Sequence, residues 1–97
     1  MFVVIWEYEV RAGADSAFEA LYGADGAWVG LFRDYDGYLG TELLRGADRR
    51  YLSIDRWASA AAYEAFLVAA RARYAAIDEQ GDALTLSERR VGVYTTP

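Results

Sequence analysis

Apolar and polar residues alternate along four stretches of the chain, and a period of two residues is typical of β-strands. The connection Gly46-Ala-Asp48-Arg49 is short, polar and contains glycine, which predicts a β-hairpin between the second stretch, which ends at Arg45, and the third, which begins at Arg50. The first stretch is apolar on both faces at its start, as in a central strand that is covered on two sides. The four predicted strands are Phe2 to Val10, Tyr38 to Arg45, Arg50 to Trp57 and Leu84 to Tyr94.

A helical period appears between the first two strands. Ser16 and Glu19 have the spacing of a capping box, in which a hydroxyl and a carboxylate each bond a backbone N–H at a helix start. A helix from Ser16 to Tyr22 would bury its apolar side, and helical spacing resumes from Ala27 to Phe32 after two intervening glycines. The turn signal Asp34-Tyr-Asp36-Gly37 closes this helical region.

A second helical segment follows the third strand. Apolar residues recur every three to four positions from Ala60 to Asp78, which predicts one helix with a single buried stripe. Ser59 is a favourable N-cap residue for it. Gln80-Gly81-Asp82 is expected to end the helix before the last strand.

The predicted order is β-α-β-β-α-β, so residues 1–97 form a single α+β domain with a ferredoxin-like arrangement. Two helices cover only one face of its four-stranded antiparallel sheet. The other face keeps apolar residues, among them Val3, Ile5, Leu52 and Ile54. We expect a second copy of the chain to cover these residues in a homodimer packed sheet to sheet. The alternative is a monomer whose sheet face is exposed to solvent.

Composition narrows the chemistry. A net charge of −5 argues against a nucleic-acid partner and against an anionic membrane surface. The chain has neither Cys nor His, which excludes disulfides, thiol catalysis, Ser/His triads, His-ligated haem and the usual zinc sites. Aromatic residues make up 15% of the chain, which indicates a ring-rich core or a surface that a ligand or partner covers.

The first residues, Met-Phe-Val-Val-Ile-Trp, have no basic region and no small-residue cleavage site, and their apolar run is too short for a leader. They are predicted to form a strand instead. No window approaches the roughly twenty apolar residues of a membrane span. We therefore expect a cytoplasmic protein.

Five segments that follow one another along the chain carry a family resemblance: Leu31 to Arg33, Gly37 to Leu44, Tyr51 to Trp57, Tyr63 to Phe66 and Arg90 to Tyr94. Their most specific parts are the Gly37-Tyr38-Leu39-Gly40 strand start and a strand-ending Trp57 followed by the helix residue Tyr63. In this order the segments resemble the antibiotic biosynthesis monooxygenase (ABM) domain family of dimeric α/β barrels. The resemblance covers essentially the whole sequence.

The resemblance implies a pocket between sheet and helices for a small apolar or aromatic ligand. In some members this pocket oxidises polycyclic phenols with molecular oxygen, without a metal, flavin or other cofactor. Those members carry a strand Asn, a Trp four residues later and a helix Tyr six residues further on. Trp57 and Tyr63 match the last two, and Ser53 stands in place of the Asn. Asp55 shares the predicted face of Trp57 and is a candidate base.

Other aromatic residues are expected to line the same pocket, and core packing is the alternative for each. The haem-degrading branch of the family resembles the chain less, because Trp6 and Leu67 stand where that branch has Asn and His. A non-catalytic small-molecule-binding dimer and a structural dimerisation module remain alternatives to a monooxygenase. An oxygenase predicts a cavity of a few hundred Å³, whereas a structural module predicts none. The expected lining residues are Trp6, Tyr8, Trp28, Phe32 and Phe66.

Overall fold

The computed structural model describes residues 1–97 and contains one antiparallel sheet of four strands with helices on one face. Across the sheet, the second strand of the chain is followed by the third, the first and the fourth, so that the first and third strands are central. This is the predicted ferredoxin-like α+β fold. The elements are β1 (Phe2–Val10), α1 (Asp15–Tyr22), α2 (Ala27–Phe32), β2 (Tyr38–Arg45), β3 (Arg50–Trp57), α3 (Ala60–Ala69), α4 (Arg71–Asp82) and β4 (Thr85–Thr95).

The two faces of the sheet are those that the alternation predicts. On β3, the side chains of Tyr51, Ser53, Asp55 and Trp57 are buried under the helices, whereas the residues between them are only half-buried. The hairpin register places the β2 residues from Gly40 to Arg45 opposite successive β3 residues, with Thr41 opposite Asp55 and a register shift at Leu39. The helix face of β3 thus carries both candidate polar site residues into the interior.

The start of α1 differs from the predicted capping box. The helix begins at Asp15, the cap position is Ala14, and no side chain caps the helix. Glu19 instead accepts hydrogen bonds from the Tyr51 hydroxyl at 2.6 Å and from Arg45 at 3.2 Å. Glu19 therefore bonds to side chains of the sheet, and not to the backbone at the helix start as the capping-box spacing predicts.

The helix predicted from Ala60 to Asp78 is two helices that meet at Ala70. This buried residue has φ −97° and ψ 9° and is both the last cap of α3 and the first cap of α4. The break redirects α4 so that the Tyr74 ring meets the Trp28 ring edge to face at 4.8 Å. The start of α3 is as predicted, because the Ser59 hydroxyl accepts from the Ala62 N–H at 3.1 Å.

The predicted helix breaker around Gly81 does not break α4, which continues to Asp82. Gly81 is buried, and a Cβ atom there would collide with the Tyr22 hydroxyl. This glycine is thus required for a close approach between α4 and α1 rather than for a turn. None of the helices is long and apolar enough to cross a membrane.

Candidate functional site

A narrow cavity lies between the helix face of the sheet and the helices α1, α2 and α4, and it is partly open to solvent. Its volume is about 30 Å³, which is room for about one water molecule. Six aromatic side chains form most of the wall, and three carboxyl groups, one serine and one threonine complete it. The lining residues are Trp6, Tyr8, Tyr22, Trp28, Phe32, Thr41, Ser53, Asp55, Tyr74, Asp78 and Glu88.

Asp55 is a buried carboxyl group in the middle of β3, with 8% of its surface exposed. The Thr41 hydroxyl donates a hydrogen bond to it at 2.8 Å, and the Tyr38 hydroxyl donates to Thr41 at 2.7 Å. Burial raises the pKa of Asp55 to about 6, and the bond from Thr41 opposes the rise. Asp55 is therefore mostly ionised at neutral pH yet basic enough to accept a proton from a substrate.

Two neighbouring polar atoms in the cavity wall make no well-aligned hydrogen bond. The Tyr22 hydroxyl and the Trp28 Nε1–H are both buried and lie near each other, and neither forms a hydrogen bond of good geometry with the protein. Buried polar groups are nearly always paired, and an unpaired one costs about 1–3 kcal/mol. An indole N–H can only donate, so this wall fits a ligand that carries an oxygen acceptor.

Tyr8 and Ser53 form a hydrogen-bonded pair beside Asp55, with 3.2 Å between the hydroxyl oxygens. Burial raises the pKa of Tyr8, so its phenol stays protonated at neutral pH. The Ser53 hydroxyl is consequently already engaged at the position where the resemblance places an amide.

The cavity brings together six of the nine predicted site residues, namely Ser53, Asp55, Trp6, Tyr8, Trp28 and Phe32. Trp57, Tyr63 and Phe66 do not line it. Trp57 is fully buried, and its ring centroid lies 5.7 Å from that of Tyr63 and 4.9 Å from that of Phe66. The Phe32 ring separates this cluster from the cavity, 5.8 Å from Trp57 between centroids.

Five lining residues were not among the predicted site residues: Thr41, Tyr22, Tyr74, Asp78 and Glu88. Thr41 was accessible from the predicted hairpin, since the pairing of Arg45 with Tyr51 sets Thr41 opposite Asp55. Tyr22 and Tyr74 lie on the apolar sides of the predicted helices, a pattern that core packing alone explains. No pattern pointed to Asp78 and Glu88, which lie on either side of the α4–β4 connection.

One group of carboxylates could hold a cation. Asp78 and Asp82, four residues apart on α4, and Glu88 on β4 place carboxylate oxygens within 4.8 Å of one another. Burial and the neighbouring negative charges raise the pKa values of Asp78 and Glu88. Asp78 and Glu88 also line the cavity, so this group stands at one end of it.

Comparisons with solved structures place the fold among oxygenases and related proteins. SnoaB, a cofactor-independent oxygenase from Streptomyces nogalater, is 21% identical with a TM-score of 0.82, over 99% of this chain and 92% of that one. ActVA-Orf6, a monooxygenase from Streptomyces coelicolor solved with nanaomycin D, is 20% identical with a TM-score of 0.78, over 99% and 87%.

A third structure, Rv0793 from Mycobacterium tuberculosis, is 22% identical with a TM-score of 0.75, over 99% of this chain and 94% of that one. No curated protein matches the sequence significantly. The sequence profile described as antibiotic biosynthesis monooxygenase matches residues 1–76, most of the chain. With this match and the shared fold, the chain belongs to the antibiotic biosynthesis monooxygenase family.

Proposed function

We propose that the protein is a cofactor-independent monooxygenase that oxidises an aromatic or polyketide-like small molecule with molecular oxygen. The observation that carries the proposal is Asp55, a buried carboxyl group with a pKa of about 6 in an aromatic-walled cavity. A base whose pKa lies near the operating pH accepts and returns a proton efficiently. Family membership supports the same reaction class.

In the proposed reaction Asp55 removes a proton from an activated CH₂ group beside a phenol or carbonyl. The resulting enolate carbon bonds to O₂, and the terminal peroxide oxygen takes the proton from Asp55. Loss of the second C–H proton then breaks the O–O bond and leaves a carbonyl and water. The substrate carbon supplies all four electrons, so the balance needs no external reductant.

The Trp28 Nε1–H has a role in this reaction. It would hydrogen-bond the substrate oxygen on which negative charge develops. A donor fixed in a water-poor cavity stabilises such charge more than water does, because it is already oriented. The absence of a well-aligned protein acceptor for this N–H supports the assignment.

The substrate must enlarge the cavity, because about 30 Å³ holds no aromatic ring system. We propose that the Phe32, Trp28 and Tyr74 rings move apart on binding. Displacement of Phe32 would expose Trp57, which lies directly behind it, and Tyr63 packs against Trp57 in turn. In this proposal Trp57 and Tyr63 contact the substrate, as the family resemblance implies, only in the opened state.

The test is oxygen consumption by chelator-treated protein with a panel of anthrones, naphthols and quinols, measured from pH 5 to 8. Only the ionised carboxylate is a base, so kcat/KM should rise about tenfold per pH unit below an inflection near pH 6 and level off above it. Uptake no faster than spontaneous oxidation across the panel would refute the proposal.

Thr41→Val is the matched variant for this profile. It keeps the shape of the side chain but removes the hydrogen bond that lowers the Asp55 pKa. The inflection should therefore move to higher pH, and activity at pH 6 should fall more than activity at pH 8. An unshifted inflection would show that another group is the base.

A binding dimer without turnover is the second candidate. One observation favours it: the Ser53 hydroxyl is engaged with Tyr8, which leaves no free amide-like donor at that position. Ligand binding without oxygen uptake would select this candidate. A structural module predicts that Trp57, Tyr63 and Phe66 pack without a cavity, and these three rings do pack closely. A cavity nevertheless lies beside them, which a purely structural module does not predict.

We further propose that two copies pair through the outer sheet face to form the dimeric α/β barrel. Ile5 and Ile54 are direct cross-strand neighbours there, and Leu44 pairs with Leu52. Leu44 is 43% exposed, and the ion pairs Arg56–Glu42 and Arg89–Glu7 occupy the same face. An apolar centre with charged flanks is the composition expected of an interface.

Ile54→Lys should convert this dimer to monomers, because the interface would bury an unpaired ammonium group among apolar residues. Size-exclusion chromatography with light scattering gives the mass directly. Leu67→Lys is the control, since it adds the same charge on the exposed side of α3. A wild-type monomer, or an Ile54→Lys dimer, would contradict the sheet-to-sheet pairing.

A further inference from the structure

The carboxylates at one end of the cavity have no basic partner. The four ion pairs of the protein use other acidic residues, and none of the eleven lining residues is basic. Asp78, Asp82 and Glu88 place carboxylate oxygens within 4.8 Å of one another, and Asp82 and Glu88 are exposed. Burial raises the pKa values of Asp78 and Glu88, and the neighbouring negative charges raise them further. A positively charged ligand group would relieve the repulsion between these charges.

A buried polar group points to the same place independently of the charges. The Tyr22 side chain is only 4% exposed, and its hydroxyl has no hydrogen-bond partner. That hydroxyl lies against Gly81, in the turn of α4 between Asp78 and Asp82. It therefore lies beside the carboxylate group, whose charges add to the rise that burial causes in the Tyr22 pKa, and it can accept a hydrogen bond from a donor placed there.

The walls beside the carboxylates are aromatic. Trp28 and Tyr74 meet edge to face at 4.8 Å, and Tyr22 lies 6.0 Å from Trp28 between ring centroids. Aromatic faces attract organic cations, most strongly where water is excluded. A hydrated metal ion would gain from the carboxylates but little from these rings, so the surroundings favour an alkylammonium group.

We infer that the cavity selects aromatic substrates that carry a protonated amine, with the ammonium group seated between Asp78, Glu88 and the Tyr22 hydroxyl. The inference rests on the proposed function in taking this cavity as the substrate site. The aromatic body of the ligand then extends toward Asp55, which lines the same cavity. Asp78 and Glu88 are specificity residues in this arrangement and take no part in the oxygen chemistry.

The test is equilibrium binding by calorimetry of naphthylmethylammonium and of naphthylmethanol, which share a ring system and differ in charge. Wild-type protein should bind the ammonium about tenfold more tightly or better. Asp78→Asn and Glu88→Gln should each reduce this preference about threefold, and the double variant should abolish it. Binding of naphthylmethanol should stay unchanged in all three variants.

Glu79→Gln is the control, since it removes one charge from an exposed position on α4 outside the cavity lining. It should leave the preference intact. Equal affinity for the two probes, no ammonium binding at millimolar concentration, or a preference that survives the double variant would overturn the inference. Micromolar binding of Ca²⁺ or Mn²⁺ without an ammonium preference would overturn it in favour of a metal site.

This experiment separates the inference from the proposed function because it needs no turnover. An ammonium preference without oxygen uptake on any phenol would remove the oxygenase and leave the binding specificity. Oxygen uptake on neutral phenols without an ammonium preference would support the oxygenase and overturn the ammonium specificity.

Discussion

Replacing Asp55 with asparagine is expected to abolish oxygen uptake and, at the same time, to raise the melting temperature. The activity should fall by about 10²–10⁴-fold, because the variant keeps the shape of the side chain but cannot accept a proton. The stability should rise because folding buries this carboxylate without an oppositely charged partner. A loss of activity together with a higher melting temperature would show that the Asp55 carboxylate serves the reaction and destabilises the fold.

The pH dependence of the stability follows from the direction of the pKa shift. Folding raises the Asp55 pKa from 3.8 to about 6, so the folded state binds more protons than the unfolded state between these values. This carboxyl therefore lowers the free energy of unfolding progressively as the pH rises from about 4 to 6, with a constant deficit above. A shift of roughly two units corresponds to a deficit of about 1–3 kcal/mol.

Thermal melts at pH 4, 5, 6 and 7 measure this directly. The difference in melting temperature between Asp55→Asn and wild type should be small at pH 4 and should grow to about 5–15 °C by pH 7. Glu64→Gln, an exposed carboxyl on α3, serves as the control and should show little change. A variant that melts below wild type at pH 7 would show that the buried carboxylate stabilises the fold.

Trp57→Ala should have the largest effect on stability, a loss of about 3–5 kcal/mol. The Trp57 side chain is fully buried and contacts four other rings, so truncation leaves a cavity that its neighbours cannot fill. Trp57→Phe should cost only about 1–2 kcal/mol, because it keeps a ring and removes an Nε1–H that has no partner. The neighbouring rings are Phe32, Tyr38, Tyr63 and Phe66.

Urea unfolding of both variants gives the two free energies, and Trp6→Ala is the matched comparison. Trp6 is half-buried in the cavity wall, so its removal should cost less than that of Trp57. If Trp57→Ala lost under about 1 kcal/mol, Trp57 would already be a wall of an open pocket. Effects on oxygen uptake should therefore be measured with Trp57→Phe, because loss of activity in Trp57→Ala would report unfolding.

The strands and their buried faces could be predicted from the sequence because alternation encodes them directly. Three strands begin and end as predicted, and Ser53, Asp55 and Trp57 lie on the helix face as the period requires. The hairpin connection also fixed the register that brings Thr41 to Asp55. The sequence pattern was sufficient to predict structure wherever residues close together in the chain determine it.

The remaining differences depend on contacts between distant residues. The apolar stripe continues through Ala70, so its period does not record the change of direction between α3 and α4. The capping box failed because Tyr51, distant in sequence, takes Glu19. Alternation likewise places Trp57 on the inner face but cannot tell a cavity wall from a closed core, which depends on how Phe32 packs between them.

The contact between Gly81 and the Tyr22 hydroxyl couples two positions nearly sixty residues apart in the chain. Any residue with a Cβ atom at 81 needs a shorter side chain at 22 or an outward shift of α4, and a shift would move Asp78 and Asp82 with it. Neither position can therefore drift alone. Gly81 and Tyr22 together determine how closely α4 approaches α1 beside the cavity, so a larger side chain at either position requires a compensating change at the other.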